Sequence, residues 1–305
     1  MKYAIGALAT LATMLCWVHS AEAQYTAGVS GGNVMFNGGA AGDTLVFTNV
    51  AGTLTHNRFG TDPNFASPAD LDTTVAGDQM ILVANLTALT VVAGGGNDTV
   101  ILTALTGVPA GATIVVNGDD GDDVLTGGPA NETFNGGPGT DLINPGANNG
   151  EANTVNGDAG ADTLAFVGTM SDNVFTISRT GGVLQVSIDG ASSTVIYNGL
   201  EICAVTGLDG NDTFTVEPLD DLGFGVAGDA ATDTLNIDAG GNLVVQNSSS
   251  VTVAGRLPIT HTGVENVNVT NVGFSPGGKS KGRCGLTGAE ALAVLALAAF
   301  RRRRR

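Results

Sequence analysis

From residue 24 to about 270 the chain alternates apolar and polar residues in short runs. Asn173-Val174-Phe175-Thr176-Ile177 and Leu184-Gln185-Val186-Ser187-Ile188 each place every second residue on an apolar face. That period of two is the mark of a half-buried strand. Similar β-branched runs occur at 99–102, 112–116, 193–197, 242–246 and 250–253. Turn formers separate them: Gly181-Gly182, Asp189-Gly190, Asp209-Gly210 and Gly240-Gly241. No segment of the body sustains a helical period. The pattern predicts an all-β fold, a parallel β-solenoid (β-helix or β-roll) with short antiparallel ribbons around 170–200 and 240–260. The stretch 59–71, with Pro63 and Pro68, reads as an irregular loop.

A longer plan recurs three times. A "DTL" strand starts at Asp43, Asp162 or Asp233, a middle section follows, and a second strand comes next, preceded by GLE or GVE in the later two copies. The first two copies then end in an acidic turn at Asp98 or Asp212. Inside this plan, 118–165 is built of nine-residue units: GDDGDDVLT, GGPANETFN, GGPGTDLIN, an insertion at 145–147, NNGEANTVN and GDAGADTLA. Most units are Gly-rich in their first half, with an acid or amide sixth and an apolar residue eighth. These units resemble the nonapeptide GGxGxDxUx of RTX (haemolysin-type) calcium-binding proteins. GGPGTDLIN matches it fully, GGPANETFN has Glu132 in the acid's place, and NNGEANTVN has Asn153 there.

The resemblance implies a Ca²⁺-binding β-roll. Ca²⁺ takes six to eight oxygen ligands, carboxylate and carbonyl together. The implied ligand turns contain Gly118, Asp120, Gly121 and Asp123; Gly136, Gly139 and Asp141; and Gly157, Gly160 and Asp162. One unit is half a coil, so Asp123, Asp141 and Asp162 should stack on one edge and Glu132 and Asn153 on the other. Ca²⁺ is expected first between 118–123 and 136–141, then between 136–141 and 157–162. The Glu132 edge should bind weakly or not at all. The isolated turns at Asp43, Asp98, Asp212 and Asp233 have two readings, as weaker ligands or as side-chain-to-backbone turns without metal. Leu125, Phe134, Ile143, Val155 and Leu164, in the eighth place, should point into the coil.

Charge sharpens this picture. The chain has 305 residues, 46 of them Gly, and a net charge of −17. Its body contains no Lys, only Arg58, Arg179 and Arg256, and all of the 29 acids except Glu22 and Glu290. Such a body repels nucleic acid and attracts divalent cations. The ends read as addresses. Residues 1–23 form a secretory signal peptide with an Ala21-Glu22-Ala23 cleavage site, so Ala23 is a processing residue. After a linker at 275–283, residues 284–305 resemble the MYXO-CTERM type of bacterial sorting tag: Cys284, an apolar stretch and five terminal arginines. The resemblance implies processing at Cys284 and display on the cell envelope; a marginal membrane anchor is the other reading. Cys203 is left alone in the body and reads as a small buried hydrophobe.

Catalytic signatures are weak. There is no HExxH. GxSxG occurs at 28–32 and 273–277, neither between a strand and a helix. GxGxxG at 223–228 reads as a turn. His56 and His261 read as ordinary surface or rung residues. The expectation is a secreted, surface-anchored, calcium-binding solenoid (body 24–274) with a structural or adhesive role and no catalysis, its surface or matrix partner unidentified. The alternatives are a polysaccharide-acting lyase or glycosidase, for which a cleft of acids with Arg179 or Arg256 would speak, and a metal-free stalk.

Overall fold

The computed structural model describes residues 24–146 and 150–273. Residues 1–23, read above as a signal peptide with Ala23, and 275–305, read as linker and tag with Cys284, lie outside the described residues. The chain winds back and forth between two sheets that do not close into a barrel. The first sheet has twelve strands, the second eleven. In the first, Ala88–Gly95, Thr113–Asp120, Glu132–Gly139 and Ala152–Gly160 are parallel neighbours. In the second, Thr99–Ala104, Val124–Thr126, Leu142–Asn144, Thr163–Val167, Ile202–Thr206 and Gly223–Ala227 continue side by side. From Ala88 to Val167 strands consecutive in sequence thus fall in opposite sheets, which is a parallel β-solenoid.

Period-two alternation sends every second side chain inward, and parallel in-register pairing stacks like positions into columns. One column runs Val100, Leu125, Ile143, Leu164, Cys203, Phe224 and Ile259. The facing sheet supplies Val116, Phe134 and Val155. All of these are buried, including every eighth-place residue of the nonapeptides. Each such side chain contributes about 1.5–3 kcal/mol of burial. Cys203 is a free thiol inside its column, and burial pushes its pKa up.

Both expected ribbons are present. Val174–Thr180, Val183–Ile188 and Ala191–Asn198 form an antiparallel meander, and Val244–Gln246, Ser250–Val253 and Ile259–Thr262 form a second. Two further hairpins were not legible: Thr26–Ser30 with Asn33–Asn37, and Thr44–Val50 with Thr53–His56. The latter turns on Ala51-Gly52, both at positive φ, the geometry that suits a two-residue hairpin. GxGxxG at 223–228 is mostly a strand, Gly223–Ala227, and not the expected turn. Its alternate small residues fit the packed sheet, which periodicity alone does not separate from a Gly-rich turn.

The irregular stretch 57–80 covers the first rung. Phe65 and Leu71 are buried, and Phe65 stacks on Phe36 with centroids 5.5 Å apart. Asp62 accepts the Tyr25 N–H at 2.7 Å, Asp72 that of Val29 at 3.2 Å, and the Thr73 hydroxyl that of Ala27 at 3.1 Å. Main-chain donors along the first edge strand are thereby satisfied.

Candidate metal centre

Turns that carry the chain from the first sheet to the second place one acid just before six of the second-sheet strands, those that start at 44, 99, 124, 142, 163 and 202. Each acid reaches along the solenoid and accepts the main-chain N–H of its counterpart one rung earlier. Asp98 Oδ1 accepts from Asp43 N at 2.7 Å, Asp123 from Asp98 at 2.7 Å, Asp141 from Asp123 at 2.8 Å, and Asp162 from Asp141 at 2.9 Å. Glu201 Oε2 ends the series on Asp162 N at 2.7 Å. The sequence steps are 55, 25, 18, 21 and 39 residues. Parallel strands lie ~4.8 Å apart, so the carboxylates stack at about that spacing.

A second ladder stands on the opposite edge. Asp212 Oδ1 accepts from Asn173 N, Asp233 Oδ1 from Asp212 N and Glu265 Oε2 from Asp233 N, each at 2.7 Å. The two ladders end alike. Gly199 and Gly263, at φ +62° and +60°, precede the terminal glutamates by two residues. At the other ends charge is moderated: the Arg58 guanidinium lies 3.2 Å from Asp43, both nearly buried, and the second ladder begins on the neutral Asn173.

The second carboxylate oxygens are the unusual feature. Oδ2 of Asp98, Asp123, Asp141, Asp162, Asp212 and Asp233 is buried and has no hydrogen-bond partner. The first-place glycine explains where several of them sit. A Cβ on Gly118 would meet Asp123 Oδ2 at 2.2 Å and the Gly136 carbonyl at 2.5 Å. On Gly136 it would meet Asp141 Oδ2 at 2.2 Å and Gly157 O at 2.8 Å; on Gly157, Gly199 O at 2.0 Å and Asp162 Oδ2 at 2.7 Å. Gly228 repeats the pattern with Asp233 Oδ2 and Gly263 O, each at 2.3 Å. The space beside each of these glycines is therefore already filled by a carboxylate oxygen of its own turn and a carbonyl oxygen of the next rung, which brings the two kinds of oxygen close together. Desolvation pushes Asp98 up to about 7 and Asp123 and Asp141 up to about 6; neighbouring carboxylates add to this, and the accepted N–H pulls back. Burial also raises Asp162, Asp212 and Asp233.

Asp123, Asp141 and Asp162 are thus brought together as their spacing implies. Asp98, Asp43, Asp212 and Asp233 are ladder members too, not isolated turns. Asp120 is different. It lies exposed in a shallow groove with Asp119 and Asp158 and does not enter the ladder. The fourth-place glycines are explained by close stacking: a Cβ on Gly139 would meet Gly121 O at 1.8 Å, and one on Gly121 would meet Gly96 O at 2.0 Å. On the other edge, Asn153 Oδ1 accepts Glu132 N at 2.9 Å, as the stacking of those two positions requires. Glu132 is buried, its Oε2 has no partner, and burial pushes it up to about 8. Among the described residues no group of three or more His, Cys, Asp or Glu side chains forms a ready-made cage. A hard cation would have to use carboxylate and carbonyl oxygens together, and the turns bring oxygens of both kinds side by side.

Sequence reasoning missed Glu201, Glu265 and Arg58. The repeated GLE and GVE triplets carried the first two; a lone Arg in an irregular stretch carried no signal. His56 and His261 are both buried, inside the rungs and not at the surface. His56 Nδ1 accepts the Arg58 N–H at 3.1 Å, so Nε2 donates to Asp70 O at 2.8 Å, and burial lowers its pKa: the ring is neutral. Arg179 is held at the surface by Asp220 and Asp221, each at 2.6 Å, and Arg256 lies 3.6 Å from the same Asp220. Ser30 of the first GxSxG sits exposed before a hairpin turn, with a strand after it.

Compared with known proteins, the chain matches no protein-family model and no curated protein.

Proposed function

We propose that the body is a divalent-cation-responsive scaffold, a calcium-binding β-solenoid displayed outside the cell, with a structural or adhesive role and no catalytic one. The observation that carries this reading is the row of buried carboxylate oxygens that lie beside carbonyl oxygens of the next rung and lack a hydrogen-bond donor. Leaving such an oxygen charged and desolvated is costly. Either a cation or a proton relieves it. Gly118, Gly136 and Gly157, with Asp123, Asp141 and Asp162, would hold the ion, and bound Ca²⁺ would supply positive charge between rungs. Where free Ca²⁺ is scarce, repulsion along the ladder would keep the chain loose; at 100 times its Kd, a single site would add about 2.7 kcal/mol.

The metal-free stalk is the second reading, favoured by the Oδ1 bonds, which give Asp123, Asp141 and Asp162 a structural task without metal. Calorimetric titration with Ca²⁺ separates the two. Asp141→Ala should lose about tenfold or more in affinity, and Glu132→Ala clearly less. Absence of binding heat, together with identical melting curves in Ca²⁺ and in EGTA, would leave the stalk.

A further inference from the structure

The two ends of the solenoid are built differently. At the first, side chains of 57–80 satisfy the edge strand. At the other, the final strand Asn266–Thr270 has one neighbour among the described residues, Thr234–Asp238. Asn266 N donates to Asp233 O at 3.0 Å, and Thr270 O accepts Ala239 N at 2.9 Å. These bonds turn the polar backbone of 266, 268 and 270 inward. By the alternation of a strand, N–H and C=O of Val267 and Val269 face the open side. The same two valines pack against the core yet remain only partly buried. Beside them, linked through Gly241 N to Asn271 O at 2.6 Å, the second sheet ends at Val244–Gln246, with Leu243 and Val245 exposed. The strand contains no charge, proline or bulge, the usual devices that blunt an edge.

Its sequence is also nearly the same in both directions. Asn266-Val267-Asn268-Val269-Thr270 inverts about Asn268 to Thr-Val-Asn-Val-Asn. An antiparallel copy related by a twofold axis through Asn268 would set Val267 opposite the partner's Val269. The outward-facing backbone groups would then exchange four hydrogen bonds, and the valines would meet on the core side. We propose that this end is an interface between two copies of the chain, joined by their final strands into one continuous sheet. Such an isologous contact closes after two subunits and cannot propagate into a fibre.

The test is sedimentation equilibrium on the full chain in mild detergent, with Asn268→Lys and Asn268→Asp. Asn268 is exposed, so neither change removes core packing. The wild-type chain should sediment at twice the monomer mass. Either variant alone places like charges at the twofold and should weaken association at least tenfold. An equimolar mixture should restore it. A monomeric wild-type chain, as when residues beyond 273 occupy the edge, overturns the proposal. So does a dimer that both variants form unchanged. If Asn268→Lys melts early, Asn268→Asp alone still decides: weakened association supports the proposal and an unchanged dimer overturns it.

Discussion

At the residue scale, the first-place glycines are required by what lies against them. Gly136 carries the Asp141 carboxylate where a methyl group would be, at 2.2 Å. Gly136→Ala should therefore cost about 1–3 kcal/mol in denaturant unfolding. Gly111 has nothing within 4 Å and no positive φ; Gly111→Ala should be neutral or gain up to ~1 kcal/mol. A similar cost for both would refute the account. Arg58 makes the complementary case. It is the guanidinium beside the first ladder acid, and removing one partner of a buried pair costs about 3–5 kcal/mol. Arg58→Ala should lower the melting temperature far more than Arg256→Ala, whose partner Asp220 is exposed.

At the scale of the element, the ladder titrates as a unit. Asp98, Asp123 and Asp141 are raised to about 7, 6 and 6. A folded-state pKa above the unfolded one means that protonation favours the fold. Their contribution is fully present below pH ~4 and is lost as pH climbs through 6 and 7. In EGTA the melting temperature should fall between pH 5 and 8; in saturating Ca²⁺ the slope should flatten. A metal-free profile that rises over this range would contradict the burial argument. The caps offer a separate check. Glu201→Ala removes the acceptor of the Asp162 N–H and should speed exchange of that amide selectively, while Glu201→Gln should restore protection.

The ladder's visibility in sequence follows from spacing. Steps of 18 and 21 residues keep Asp123, Asp141 and Asp162 in an obvious period. Steps of 25 and 55 hide Asp98 and Asp43, because longer rungs intervene. The second ladder is masked by the 39-residue step from Asn173 to Asp212, which contains a whole antiparallel meander. The strand alternation, by contrast, is local chemistry, and it places the core residues without knowledge of pairing partners. The new hairpin at Ala51-Gly52 escaped because Ala is a poor advertisement for positive φ.

At the scale of the whole molecule, charge is segregated. The acids gather in the turns and along the edges, while the broad outer faces carry Thr, Asn and scattered apolar residues such as Val124, Leu142, Ile196 and Ile202. One outer column runs Asn117, Asn135 and Asn156, joined through their amides at 2.7 Å. A body this acidic should stay apart from its own kind except where charge is missing. Raising salt from 50 to 500 mM should then strengthen any association between copies, since screening removes repulsion and leaves apolar contact; a weakening would mean that ion pairs hold the contact.

The direction of the ladder bonds has one more consequence. In every step the main-chain donor belongs to the earlier rung and the acid to the later one. A ribosome delivers the rungs in that same order. The newest turn on a growing chain therefore always waits for a residue not yet made, and the wait ends only when Glu201, and later Glu265, emerges. A chain cut short before Glu201 or Glu265 would leave the main-chain N–H of Asp162 or Asp233 without its acceptor, so each glutamate is the full stop to a sentence of aspartates.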